Sequence, residues 1–208
     1  MRSKPVPWWA VLSSACAPVL LIGGWELATA RQPAGFDPVR ETISALASRG
    51  ATDAWLMTTA LAGVGVCHMI TAAGLVPAAA AGRVLLATGG LATVMLAAFR
   101  QPVTGDSVAH VVAAAVALSV LSLWPALAWR GGGRPRPGVW WLAATGLLGL
   151  LGWFGIEYFE ASPRIGLSER VLTAAQALWP LAAVLLVRRQ QAARRVTAVR
   201  EGQSILSQ

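Results

Sequence analysis

The sequence predicts an all-α membrane protein: a six-transmembrane-helix bundle with both termini in the cytoplasm and a short amphipathic helix in the first outer loop. Three observations carry this expectation. Apolar residues make up 56% of the chain and charged ones 12%, and the apolar residues fall in runs of about 20, the length that crosses a roughly 30 Å hydrocarbon layer. Ten tryptophans stand beside one tyrosine and four phenylalanines, and Trp8, Trp9, Trp55, Trp129, Trp140 and Trp141 sit at run ends, where interfacial aromatics belong. Finally, 11 of the 17 Lys and Arg fall on the segments that a cytoplasmic N-terminus places inside, as the positive-inside rule requires.

The first span, residues 7–30, follows Met-Arg-Ser-Lys-Pro and has a signal-like start, but its apolar stretch is too long for a signal peptide and is read as a retained helix. Glu26 lies near its outer end, at a depth where acids are rare. Residues 31–53 turn polar. Within them DPVRETISALASRG places Asp37 as a cap and Pro38 at a first helical position. Val39, Ile43 and Leu46 recur at helical spacing, which predicts a short amphipathic helix lying on the membrane surface.

The second span, 54–76, ends before Pro77 and is rich in small residues that favour close helix contacts. A turn containing Gly82 and Arg83 leads to the third span, 83–99. The polar turn 100–107 carries Asp106, and the fourth span, 108–129, runs into RGGGRPRPG, which cannot continue a helix. The fifth span covers 139–159 and the sixth 169–187. Residues 1–187 thus read as one six-helix transmembrane domain and 188–208 as a basic cytoplasmic tail.

Residues 142–170 look the least like filler. Gly146, Gly149, Gly152 and Gly155 recur every third residue up the fifth span, which ends in Glu157, Tyr158 and Glu160. In a bilayer such a ridge lets neighbouring backbones approach, so it is expected to be a packing surface serving more than one helix. A faint repeat is also present. ATGGL before LWPAL (87–127) parallels ATGLL before LWPLA (144–182), which suggests two related hairpins with Pro125 and Pro180 kinking their second helices.

The net charge of +8 is spread over the termini and one loop rather than forming a patch interleaved with aromatics, so no nucleic-acid partner is expected. Cys16 and Cys67 lie inside apolar runs and read as small packing residues. On the outer side, Glu26, His110, Glu157, Glu160 and Arg170 are geometrically able to line one cleft, a candidate ligand-binding mouth. Glutamates with a histidine can hold a divalent metal or act as acid and base. The simpler expectation for the same acids is a cap of ion pairs with Arg100, Arg164 and Arg170.

His68 lies about 22 Å and His110 about 5 Å below the outer boundary at helical rise, so the pair is badly placed to ligate one haem, and no metal or cofactor is expected. Phosphate loops, zinc-spaced Cys and His sets and nucleophile elbows are missing from the sequence, and Ser44 and Ser168 have no base at a readable spacing.

Several stretches resemble the bacterial domain-of-unknown-function 998 family of six-span membrane proteins. They are TISALASRGATDAWLM (42–57), the GxxxxH stretch 63–68, GRVLLATGG (82–90), SVAH (107–110), GLSER (166–170) and the LWP that follows. One departure is Phe99-Arg100-Gln101-Pro102, where the family more often shows a phenylalanine–proline turn. The resemblance implies the fold and a multi-pass place in the bacterial plasma membrane, and it brings no established activity.

With no complete catalytic set, the residues favour a non-enzymatic bundle with an acidic outer mouth. Such a bundle would sit among membrane lipids and bind a lipid or small hydrophobic ligand, or steady a protein partner or a second copy of itself. The alternatives are a metal-assisted hydrolase using His110, Glu157 and Glu160, and a small transporter.

Overall fold

The computed structural model describes residues 5–105, 107–129 and 137–206, without the side chains of 194–196 and 198–206. Asp106 and residues 130–136 of the RGGGRPRPG stretch lie outside the described residues. The described residues form seven helices: α1 (Trp8–Thr29), α2 (Ile43–Leu46), α3 (Trp55–Gly74), α4 (Ala80–Ala98), α5 (Val108–Ala128), α6 (Pro137–Phe159) and α7 (Ile165–Leu206). All but α2 are long and apolar enough to cross a membrane, and no strand is present among the described residues. The long helices pack as a closed ring in the order α1, α3, α4, α5, α6, α7 and back to α1.

Helix ends follow from local chemistry. The Ser107 hydroxyl accepts the His110 N–H and starts α5. Arg83 Nε and Nη2 donate to the Ala72 and Ala73 carbonyls at 2.8 and 3.2 Å, satisfying orphan acceptors at the end of α3. Pro125 and Pro180 both sit inside continuous helices. The basic extension beyond 187 continues α7 to Leu206 without a break.

Without water to exclude, packing between these helices rests on close van der Waals fit. Glycine supplies that fit between α3 and α4, where a Cβ on Gly90 would fall 2.5 Å from the Gly65 carbonyl oxygen. The ridge on α6 behaves differently from expectation. A Cβ on Gly146, Gly149, Gly152 or Gly155 meets nothing within 4 Å, so these glycines pack on no neighbour in the chain. The α6 span is 17% buried against 39–44% for the others, and the ridge faces outward because α6 touches the ring by its other side.

Two larger cores fill the ring. One, at the end bearing Arg83, gathers Leu75, Leu86, Leu121, Trp124, Trp140 and Val184. Here the paired LWP sequences meet, since Trp140 takes edge contacts from Trp124 at 5.9 Å and Trp179 at 6.0 Å. The other, at the opposite end, gathers Leu21, Trp25, Met57, Leu61 and Val64 with Ile43 and Leu46 of α2. A smaller cluster joins α4 to α5 through Leu96 and Ala117.

The predicted surface helix is therefore a plug. α2 is a single turn, and Ile43 and Leu46 are 3% and 0% exposed inside the ring's mouth, while Val39, expected on the same apolar face, is outside and 40% exposed.

Candidate functional site

The plug is held mainly by contacts to its backbone. Thr42 caps α2 by accepting the Ala45 N–H at 3.1 Å. Gln32 ties the two ends of the segment, donating to Ala28 and Thr52 carbonyls and accepting the Thr52 N–H. Arg170 Nη1 donates to the carbonyls of Pro38 and Glu41, each at 2.6 Å, and of Gly166 at 3.1 Å. Gly166 makes this approach geometrically feasible, because a Cβ there would overlap the same two loop carbonyls. Arg100 Nε and Nη2 donate to Ala47 and Ser48 carbonyls, both at 2.9 Å, closing the far end of α2. Arg100 is thus a plug clamp.

Beneath the plug three polar side chains meet. Phe99 carbonyl accepts from His110 Nδ1 at 2.9 Å, which fixes the ring so that Nε2 faces Ser44 Oγ at 3.1 Å. A carbonyl only accepts, so the neutral imidazole carries its proton on Nδ1 and Ser44 donates to Nε2. Glu169 in turn accepts the Ile43 N–H, and its second oxygen lies 3.5 Å from Ser44 Oγ, at the edge of hydrogen-bond reach. Glu169 is only 8% exposed and has no ion-pair partner among the described residues, whose ion pairs are Arg31–Asp53, Arg40–Asp37 and Arg164–Glu157. Arg170 lies within electrostatic reach of Glu169, Glu26, Glu41 and Asp37, but its Nη1 hydrogens go to carbonyls and Nη2 has no partner.

Deeper in the ring, where the three apolar clusters meet, lies a cavity of about 50 Å³. Ser44, His68, Thr93, Glu169, Thr173 and Gln176 are its polar lining, within apolar walls from α1, α3, α4, α5 and α7. His68 is 1% exposed and neither ring nitrogen has a hydrogen-bond partner. Such a buried, unpaired imidazole costs about 1–3 kcal/mol unless something in the cavity bonds it. At roughly 10–15 Å³ per water, the space holds on the order of four water-sized occupants.

The expected outer cleft is divided. His110 and Arg170 sit at the plug. Glu157, 3% exposed, instead accepts from Trp153 Nε1 at 2.8 Å and pairs with Arg164 at 3.2 Å, while His110 bonds Phe99 and Ser44. Glu26 and Glu160 are exposed, Glu26 accepting the neighbouring Trp25 indole N–H. Of the three arginines expected to pair with acids, Arg164 does so, while Arg100 and Arg170 bind backbone carbonyls. Among the described residues no group of three His, Cys, Asp or Glu converges closely enough to hold a metal. Residue reasoning missed Ser44, Glu169 and Gln176 as a set, and their one shared sequence signal is polarity inside or beside apolar runs.

Fold and site together define a multi-pass membrane protein in which His68, Thr93, Glu169 and Gln176, buried polar residues of α3, α4 and α7, line a cavity under a loop plug. The chain belongs to the DUF998 family, described as proteins of unknown function, whose model matches residues 14–186. No curated protein and no solved structure matches it.

Proposed function

We propose that the protein is a non-enzymatic ligand-binding bundle of the bacterial plasma membrane, and that its site is the central cavity rather than the acidic rim. The observation that carries this reading is His68, an imidazole sealed from solvent with both nitrogens unbonded on the wall of a cavity. Buried polar groups are ordinarily paired, and an orphan of this kind marks a place for an absent partner. The positive-inside rule puts the plug end outside, so entry is from the extracytoplasmic face.

A lipid does not fit this site, since ligand pockets for larger molecules occupy about 300–1,000 Å³. Lipid belongs instead on the apolar groove of about 490 Å³ between α6 and α7, walled by Leu142, Gly146, Leu150, Leu178 and Trp179. Outer-rim acids then serve to draw ligand toward the plug, with Arg170 and His110 holding it closed.

The test is thermal unfolding of the purified protein in nanodiscs with three small probes: ammonium chloride, sodium acetate and formamide. At least one probe raises the transition of the wild type, and Ala114→Leu, which fills the cavity from its α5 wall, removes the rise. If no probe acts, or if the rise survives in Ala114→Leu, the reading is wrong.

A further inference from the structure

Resting on that reading of the cavity, we infer that its occupant is a small monovalent cation that brings its own hydrogen-bond donors, of the ammonium or short alkylammonium class. The cavity wall is nearly stripped of donors. The Thr93 hydroxyl donates to the Gly89 carbonyl at 2.8 Å, and the Thr173 hydroxyl to the Glu169 carbonyl at 2.8 Å. Gln176 Nε2 gives its two hydrogens to the Leu118 carbonyl at 2.8 Å and Ser122 Oγ at 2.9 Å, which leaves Oε1 as its free group. The Ser44 hydroxyl is committed to His110. Each of these side chains retains lone pairs and no free hydrogen. His68 adds one lone pair and one N–H in its neutral form.

Into this ring of acceptors projects the Glu169 carboxyl, buried and without an ion-pair partner among the described residues. A buried carboxylate is expensive unless a positive charge answers it. Arg170 answers in part, but it also faces Glu26, Glu41 and Asp37, and its Nη1 hydrogens go to carbonyls rather than to the Glu169 carboxylate. An anion meets almost no donor here. A divalent metal meets a single carboxylate and at most the His68 imidazole, with no third His, Cys, Asp or Glu closing a cluster among the described residues. An N–H cation differs from a bare alkali ion in that it donates to an imidazole lone pair as readily as to oxygen, and this matches His68.

The test compares ammonium, sodium and choline chlorides at equal concentration, following the unfolding of the purified protein in nanodiscs by tryptophan fluorescence. At about one-hundredfold excess over its dissociation constant, ammonium is expected to raise the wild-type transition by about 5–10 °C, while choline, too large for the cavity, leaves it unchanged. Glu169→Gln keeps an oxygen for the Ile43 N–H and is expected to lose the response. Thr173→Val, remote from that contact, reads the same weakening should Glu169→Gln fail to fold. An equal rise in choline, an undiminished rise in both variants, or a sodium response matching ammonium overturns the inference. So does a response to formamide without one to ammonium, although that result leaves the cavity standing as a ligand site.

Discussion

Replacing Arg170 with methionine separates a plug held by its backbone from one held by apolar burial alone. The guanidinium makes two bonds of 2.6 Å to loop carbonyls and a longer one to its own helix. Charge-assisted bonds contribute roughly 1.5–3 kcal/mol each, and partial exposure of this side chain cuts the pair to about 3 kcal/mol in total. Methionine keeps much of the stem's packing, so the loss falls on local opening of the plug. Because 1.4 kcal/mol is a factor of ten, the Ile43 and Ala45 amides should exchange with deuterium about 10²-fold faster in nanodiscs, with α3 to α5 unaffected. Arg40→Met is the control. Its exposed pair with Asp37 at 3.3 Å is expected to change exchange by no more than about fivefold. Unchanged exchange at Ile43 and Ala45, or equal acceleration throughout the bundle, would refute the clamp.

Three further outcomes are expected. Gly65→Val drives a side chain into the Gly90 carbonyl and should cost at least about 1–3 kcal/mol by overpacking, whereas Gly149→Ala, in open space, should be neutral or stabilising by up to about 1 kcal/mol; thermal unfolding of the two variants measures both, and similar losses would contradict the packing described. His68→Leu removes two unbonded buried nitrogens, so the unliganded protein should be as stable as wild type or gain about 1–3 kcal/mol; a large loss would mean that the imidazole has a structural partner. Trp140→Ala breaks two edge contacts at the centre of one core and should cost about 3–5 kcal/mol, visible as an early transition in circular dichroism.

The six spans were legible because run length and interfacial tryptophans are local properties, and a bilayer forces each run to satisfy its own backbone. The plug was not, because Ile43 and Leu46 show the same helical spacing whether their partner is a lipid surface or Leu21 and Met57. Spacing also misplaced the glycine ridge. A period of three says that one strip of α6 is small, but not that a neighbour lies on that strip. The site depended on separations that no motif spans: 66 residues from Ser44 to His110 and 126 from Ile43 to Glu169. Arg100 and Arg170 were matched to acids on charge alone, although each could equally satisfy orphan carbonyls, which a sequence does not display.

Clamping through carbonyls has an evolutionary corollary. Arg100 and Arg170 grip oxygens that every amino acid carries at 38, 41, 47 and 48, so the exposed side chains of that loop are free to drift while the lid stays shut. Variation should therefore concentrate on the lid's outer surface, where Val39 and Arg40 lie. Constraint should concentrate on the residues that grip it, on Gly166, and on the two apolar anchors Ile43 and Leu46. Such an arrangement lets one scaffold present a changing face to its surroundings without rebuilding what lies underneath.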